Sequence, residues 1–384
     1  SIDAMLAGNA VFFIDGYDKA MKISSKGYPS TGVMEAESEK VLRGSREGFS
    51  DSVKSNSALV RKRLRDTRLK VEEYKIGVRS HTLTQVLYMD DLVHEGLLEE
   101  VKERLEEFQI DGILDSGMLE QLTEDVWYSP FPQYQTTERP DRDNSPEALI
   151  LPGNFSSFME SSEDWYHRFE MASFLRILRY LAVIMATVLP GLYLAVIRFH
   201  TQILPSALIL SFAEAREGVP FSSVVELIFL ELAFELIREA GVRVPGSLGN
   251  AIGIVGGLVI GQAAVEANLV SPIVVMIVAL TALGSMTVPN EEFAAAFRLV
   301  KYGFLILGGY LGIYGIVLGV YLVIGHLAGL ISFGIPYLVP FIKKEQKGSR
   351  GEGVLRVPLR KRVLRPLYAR EEQKIRLKRK ESGS

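Results

Sequence analysis

Up to about residue 150 the chain alternates short apolar and polar runs; beyond it, long stretches carry almost no charge. Residues 11–14 and a second run ending at Ile23 flank Asp15-Gly16, a pair suited to the positive φ angles of a tight hairpin turn. Val53, Leu59, Val60 and Leu64 recur at helical spacing over 51–65, and Arg61, Lys62, Arg63 and Arg65 gather at the carboxyl end, where cations complement the helix dipole. Residues 69–79 and 82–89 alternate as strands, 97–108 as an amphipathic helix, 110–114 as a further strand and 117–122 as a helix. The pattern predicts a soluble α/β domain over residues 1–150.

The second half reads differently. Residues 177–197 carry charge only at the borders, at Arg176, Arg179 and Arg198, and a helix of that length at ~1.5 Å per residue reaches the ~30 Å of a bilayer core. Similar stretches cover 247–265, 270–288 and 302–324, with a short polar break around 266–269 and with Lys301 and His326 bracketing the fourth. Such a succession predicts a helical membrane domain over 151–342. Two segments leave its count of membrane segments at about four to six: 204–212 is too short to cross, and 220–240 is amphipathic. In that helix Glu231, Glu235, Arg238 and Glu239 fall on one stripe, expected at the interface or facing a watery interior. The fold class expected is therefore mixed, a soluble amino-terminal α/β domain followed by an all-α, multi-span membrane domain.

Composition changes this picture in one place. The overall 48% hydrophobic and 23% charged residues average two unlike halves, but the net charge of −3 conceals a basic end. From Phe341 onward fifteen Lys or Arg face five Glu. The tail 343–384 is expected to meet anionic lipids, and by the positive-inside rule it places both termini in the cytoplasm if four spans cross. The chain has no cysteine and five scattered histidines, which argues against disulfides and metal sites. Phosphate-loop and dinucleotide motifs are absent, as is any placed nucleophile–base set, so neither an enzyme nor a cofactor is expected, and no nucleic-acid partner. No basic segment precedes an apolar one at Ser1, which excludes a signal peptide reading, and the natural protein is expected to begin further upstream.

Three sets of residues are candidates for function. In Arg43-Gly-Ser-Arg-Glu-Gly-Phe49 the glycines shape a loop presenting Arg43 and Arg46 to a carboxylate of a ligand or partner subunit, or else Glu47 ties the loop down internally. Gly249, Gly253, Gly257 and Gly261 recur every fourth residue, a spacing that lets helix backbones approach closely in lipid. Gln262 and Glu266 share a face turned away from Gly261 and are candidates for a pore or ion path, with Glu231 and Glu235 as alternatives; Glu266 equally suits a solvated loop.

Arg43-Gly-Ser-Arg-Glu-Gly-Phe49, Ile110-Asp-Gly-Ile-Leu114, Ser129-Pro-Phe-Pro132, Thr137-Glu-Arg-Pro-Asp141, Ala215-Arg-Glu-Gly-Val-Pro220, Glu239-Ala-Gly-Val-Arg243, Val259-Ile-Gly-Gln-Ala-Ala-Val265 and Phe333-Gly-Ile-Pro-Tyr337 resemble, in order, signature stretches of GerA-type spore germination receptor A subunits. The resemblance runs from Ser1 to about Pro366. It implies a nutrient germinant receptor subunit in the inner membrane of bacterial endospores, acting with a transporter-like B subunit and a lipoprotein C subunit. It also implies a homo-oligomeric, ligand-gated ion-release channel. The chain departs from the family after Asp141, which reaches Phe155 through only thirteen residues, where members carry a longer stretch. A non-conducting, membrane-anchored scaffold and a secondary transporter are the alternatives; the latter would show an inverted repeat, and none is visible.

Overall fold

The computed structural model describes residues 10–16, 20–23, 48–50, 52–137, 148–242, 248–339, 341, 353–361, 365, 369–370 and 375. It falls into two compact units, one formed by residues 1–174 with 328–384 and the other by 175–327. The first unit thus recruits the chain on both sides of the helices, where the sequence pattern had suggested boundaries at 150 and 342.

In the first unit β1 (Ala10–Phe12) pairs antiparallel with β2 (Met21–Ile23), and Gly16 takes the positive φ of 86° that the Asp-Gly turn requires. Helix α1 (Val53–Arg63) starts where the Ser52 hydroxyl accepts from the Ser55 amide and ends on Arg61, Lys62 and Arg63. It covers β3 (Leu69–Ile76) and β4 (Thr82–Met89), an antiparallel pair in full register from Leu69↔Met89 to Ile76↔Thr82. Leu59 and Val60 of the helix, with Phe49, Leu69, Leu87 and Met89, form the small core between them.

Helices α2 (Glu95–Glu107) and α3 (Ser116–Thr123) follow. The intervening 110–114 is not a strand as the sequence suggested: the Ile110 and Asp111 carbonyls accept from the Val78, Arg79 and Ser80 amides of the β3–β4 turn. Its backbone groups are satisfied by that turn rather than by a ladder. Strands β5 (Gln135–Thr137) and β6 (Ala148–Ile150) pair with each other, and α4 (Phe155–Phe158) begins with a capping box at Asn154.

The second unit is helical. Helix α5 (Phe169–Phe199) runs into it from the first unit and is followed by α6 (Ser206–Glu214), α7 (Ser223–Val242), α8 (Leu248–Glu266), α9 (Pro272–Met286), α10 (Glu291–Leu311) and α11 (Ile313–Gly329). The predicted span at 302–324 is two helices, because Gly312 adopts a φ of 65° and ends α10 one residue before α11 begins. Helix α10 instead starts upstream, capped by the Asn290 side chain on the Phe293 amide, so Lys301 lies mid-helix rather than at a border. By length and composition α5 and α10 are able to cross a membrane, whereas α9 and α11 are apolar but shorter. Tyr193, Leu194, Leu227, Leu230, Val274 and Leu305 build the core of this unit. Helices α5 and α10 cross at glycines: a Cβ on Gly308 would lie 2.2 Å from the Gly191 carbonyl oxygen, which only bare backbones permit.

Two short strands close the chain back into the first unit: β7 (Ile331–Ser332) and β8 (Ile335–Pro336). The Ser332 hydroxyl donates to the Gln133 carbonyl at 2.8 Å, and the buried Tyr337 hydroxyl donates to the Pro132 carbonyl at 2.9 Å.

Candidate functional site

Helix α7 carries carboxylates at 226, 231 and 235, and in the structure each has a cationic partner. Glu231, only 2% exposed, forms an ion pair with Lys301 of α10 and accepts from the Thr281 hydroxyl of α9 at 3.1 Å. Lys301 is itself 6% exposed. Glu226, at 1%, accepts from Arg216 at 3.0 Å and from the Ser271 backbone amide, the first residue before α9, at 2.8 Å. Glu235 lies 3.2 Å from Arg298, which also reaches Glu291 at 2.9 Å, and Arg238 donates to the Ser285 hydroxyl at 2.7 Å.

Of the stripe expected at the interface or facing a watery interior, Glu231, Glu235 and Arg238 are turned toward α9 and α10, while Glu239 is exposed. The reason is visible on the opposite side of α7, where Val225, Phe229, Leu232 and Leu236 are exposed. The same inversion extends to other helices of the unit: Ile306, Tyr310, Tyr314, Val317 and Tyr321 stand on the surface, Tyr314 at 81% exposure. Charge paired inside and apolar side chains outside reverse the usual arrangement of a protein in water. A buried ion pair holds together only when further hydrogen bonds satisfy its remaining atoms, and Thr281 supplies one here.

The other sequence candidates are distributed as follows. Gln262 and Glu266 are exposed near the carboxyl end of α8, and the Leu269 amide closes the turn to α9 on the Ala264 carbonyl at 2.9 Å. Gly257 and Gly261 are buried, and a Cβ would meet the Phe234 ring of α7 at 2.6 Å and the Val275 side chain of α9 at 3.0 Å. Gly249 and Gly253 lie within α8, their surroundings outside the described residues, and Arg43, Arg46 and Glu47 also lie outside them. The structure thus gathers Glu231 and Glu235 into one paired cluster with Lys301 and Arg298, and does not bring Gln262 and Glu266 into it. Lys301 is expected only as a border residue; the signal that identifies it is its spacing one turn from Arg298, the two being the only cations of α10.

The first unit holds charge differently. Glu72 receives hydrogen bonds from Lys102, Tyr88 and Tyr74, and the lysine and both phenols hold its carboxyl down at about 2 against burial. Arg104 bridges Glu100 and Asp125 and stacks 4.3 Å over the Phe333 ring. Arg356, beyond the last helix, is buried and donates to the carbonyls of Asp164, Trp165 and His167. Arg370 donates to the Val93 carbonyl at 2.9 Å and pairs with Glu95 at 2.9 Å, so two cations of the basic tail are spent on the first unit. A cavity of about 750 Å³ opens between β4, α2 and β6. Among the described residues no group of three His, Asp or Glu side chains is placed to hold a metal.

Set against known proteins, residues 1–368 match a family model described as Bacillus/Clostridium GerA spore germination protein. Spore germination protein KA of Bacillus subtilis (strain 168) is 40% identical over 386 residues, covering 97% of this chain and 71% of that protein. Spore germination protein GerLA of Bacillus cereus is 37% identical over 381 residues, covering 96% of this chain and 77% of its own length. A crystal structure of the N-terminal domain of the A subunit of the Bacillus megaterium spore germinant receptor GerK3 aligns with 27% identity and a TM-score of 0.29, over 40% of this chain and 59% of that one.

Proposed function

We propose, because this chain belongs to the GerA family of Bacillus/Clostridium spore germination proteins, that it is the membrane subunit of a nutrient germinant receptor and conducts ions as a homo-oligomer. One observation carries the membrane part of this reading: the helical unit is inverted, with Glu226, Glu231 and Lys301 buried in pairs and tyrosines and aliphatics outside. Hydrocarbon rewards that arrangement, since lipid accepts apolar side chains and drives charge inward. The membrane is the inner membrane of the endospore, and the partners are the transporter-like B subunit and the lipoprotein C subunit.

Topology supports the placement of the ends. Residues before α5 and after α11 belong to one compact unit, joined by hydrogen bonds through Gln133, Ser332 and Tyr337, which supports the reading that both ends of the chain share one side of the membrane. An even number of crossings agrees with that reading, and the basic tail supports the cytoplasm as that side by the positive-inside rule. Lysines and arginines of the tail beyond Arg356 and Arg370 remain the candidates for anionic lipid.

For the ion path, the pairing within the cluster favours Gln262 and Glu266. Glu231 and Glu235 are matched by Lys301 and Arg298, which removes most of the field a passing cation would feel, whereas Glu266 is exposed at a helix end. A ring of such carboxylates attracts cations. The test is ion flux through the purified protein in liposomes, with and without B and C subunits. Flux that is cation-selective and falls in Glu266→Gln is expected; no flux under any condition would leave a non-conducting scaffold in its place, and flux indifferent to Glu266→Gln but altered by Glu235→Gln would move the path to α7.

A further inference from the structure

Among the described residues of the helical unit, four buried side-chain atoms have no hydrogen-bond partner: Tyr193 Oη, Arg216 Nε, Ser271 Oγ and Tyr302 Oη. Three of them gather around Glu226. Tyr193 stands on α5, Arg216 in the turn between α6 and α7, and Ser271 immediately before α9. The charges that act on the Tyr193 hydroxyl are those of Arg216 and Glu226, and its neighbouring hydroxyls are Ser271 and Ser223. Tyr193 is 7% exposed and Ser271 not at all. A buried polar group without a partner destabilises a fold, so three in one place point to a further group that satisfies them together.

The bonds already made around Glu226 fix the chemistry of that group. Arg216 and Glu226 neutralise each other at 3.0 Å, and the second Glu226 oxygen accepts from the Ser271 amide at 2.8 Å, which occupies the positive end of α9. Arg216 also donates to the Ser223 hydroxyl, and to the Phe221 carbonyl at 3.2 Å, so Nε–H is its donor toward Tyr193 and Ser271. The Ser271 side chain does not cap α9, and its hydroxyl, like that of Tyr193, can both donate and accept. A cation here would meet the guanidinium, and an anion would leave a net negative charge buried beside Glu226. A neutral molecule that accepts one bond and exchanges two others meets neither penalty. Water does this, and about three hydrogen bonds is the usual complement of a buried water.

We propose that the helical unit binds one water molecule between Tyr193, Arg216 and Ser271, accepting from the Arg216 Nε–H and bridging the two hydroxyls. The water links α5, the α6–α7 turn and α9 around Glu226. It also gives the stretch Ala215-Arg-Glu-Gly-Val-Pro220 a role. Gly218 takes a φ of 85° in the turn that the Val219 amide closes on the Arg216 carbonyl at 3.2 Å, and Arg216 leaves that turn to serve both Glu226 and the water. The site is a property of the folded helices whether or not the protein conducts, so the flux measurement and the following tests succeed or fail separately.

Two measurements on the full-length protein in detergent test this. X-ray radiolysis turns a bound water into hydroxyl radical in place, which oxidises a side chain touching it even where bulk solvent does not reach. Tyr193 should be labelled well above Tyr337, which is fully buried and donates to the Pro132 carbonyl. A Tyr193 as protected as Tyr337 would overturn the proposal. In melting experiments Tyr193→Phe and, independently, Ser271→Ala should each lower the melting temperature by about 2–4 °C, because each deletes a bond to the water. An unchanged or higher melting temperature would defeat it, since removing a hydroxyl that has no partner relieves a cost. Melting in sodium chloride and in sodium gluconate at equal ionic strength should coincide; a chloride-dependent gain that Tyr193→Phe abolishes would replace the water by a halide ion.

Discussion

The two units of this molecule use the same side-chain chemistry with opposite orientation. In the first, Lys102 and Glu72 meet at a partly exposed position and the aromatic rings of Phe131, Phe158 and Tyr337 are fully buried. In the second, Lys301 and Glu231 are buried while the rings of Tyr310, Tyr314 and Tyr321 stand outside. An exposed pair contributes under about 1 kcal/mol because water competes with it. A buried pair contributes to which helices meet and in what register, since either charge left alone costs far more than the pair returns. The contrast teaches that the surroundings, water for one unit and by our proposal lipid for the other, decide which residues read as core.

The largest effect that can test this contrast is at Lys301. Lys301→Met leaves Glu231 buried without its cation and should destabilise the helical unit by about 3–5 kcal/mol, read as loss of the folded protein in detergent melting or in membrane yield. Adding Glu231→Gln to Lys301→Met should recover much of the loss, since no net charge then remains buried. The corresponding change at Lys102 in the first unit should cost less than about 1 kcal/mol. Equal costs at Lys301 and Lys102 would show that the second unit is solvated as the first is.

Next in size are the glycines, which separate two kinds of close contact. Gly308→Ala sets a methyl group against the Gly191 carbonyl, a backbone atom that cannot move without shifting α5, and should cost roughly 1–3 kcal/mol or more. Gly257→Ala meets the Phe234 ring, which can turn, and should cost less than Gly308→Ala in the same melting assay. The reverse order would mean that α5 and α10 do not cross at these residues.

Much of the first unit was legible in local chemistry. Asp15-Gly16 announced its hairpin, and Arg61 to Arg63 marked the end of α1, because turns and caps are decided within a few residues. Residues 110–114 were misread because their apolar character suits a strand, while the β3–β4 turn that takes up their carbonyls lies some thirty residues earlier in the chain. In the second unit the apolar runs located the helices, but not the break at Gly312, since a glycine in an apolar run looks the same whether it packs a helix or ends one. The Glu231–Lys301 pair joins residues 70 apart on different helices, and no local pattern in either helix names the partner. Stripe geometry placed Glu231 and Glu235 on one face correctly; which way that face turns depended on α9 and α10, which the period of α7 alone does not contain.

The smallest expected effect is a pH dependence in the first unit, and its sign follows from Glu72. Lys102, Tyr88 and Tyr74 all donate to this carboxylate, and they hold its pKa at about 2, below the ordinary value of 4.5. Because the folded form binds its proton less readily than the unfolded form, the ionised carboxylate stabilises the fold fully above pH 4.5 and the contribution fades as pH falls toward 2. Its size is under about 1 kcal/mol, since both partners remain a third exposed and water screens them. Glu72→Gln removes the charge that titrates while keeping a group that can accept from the tyrosines. The wild-type protein should therefore lose more of its melting temperature between about pH 5 and pH 2 than Glu72→Gln does, the two converging at the acid end. Asp66, also held at about 2 by Arg68, titrates in both proteins and cancels in the difference. Parallel curves for the two would show that Glu72 gains nothing from its donors in the folded state, and the charge of the first unit would then be as inert as any solvated surface pair.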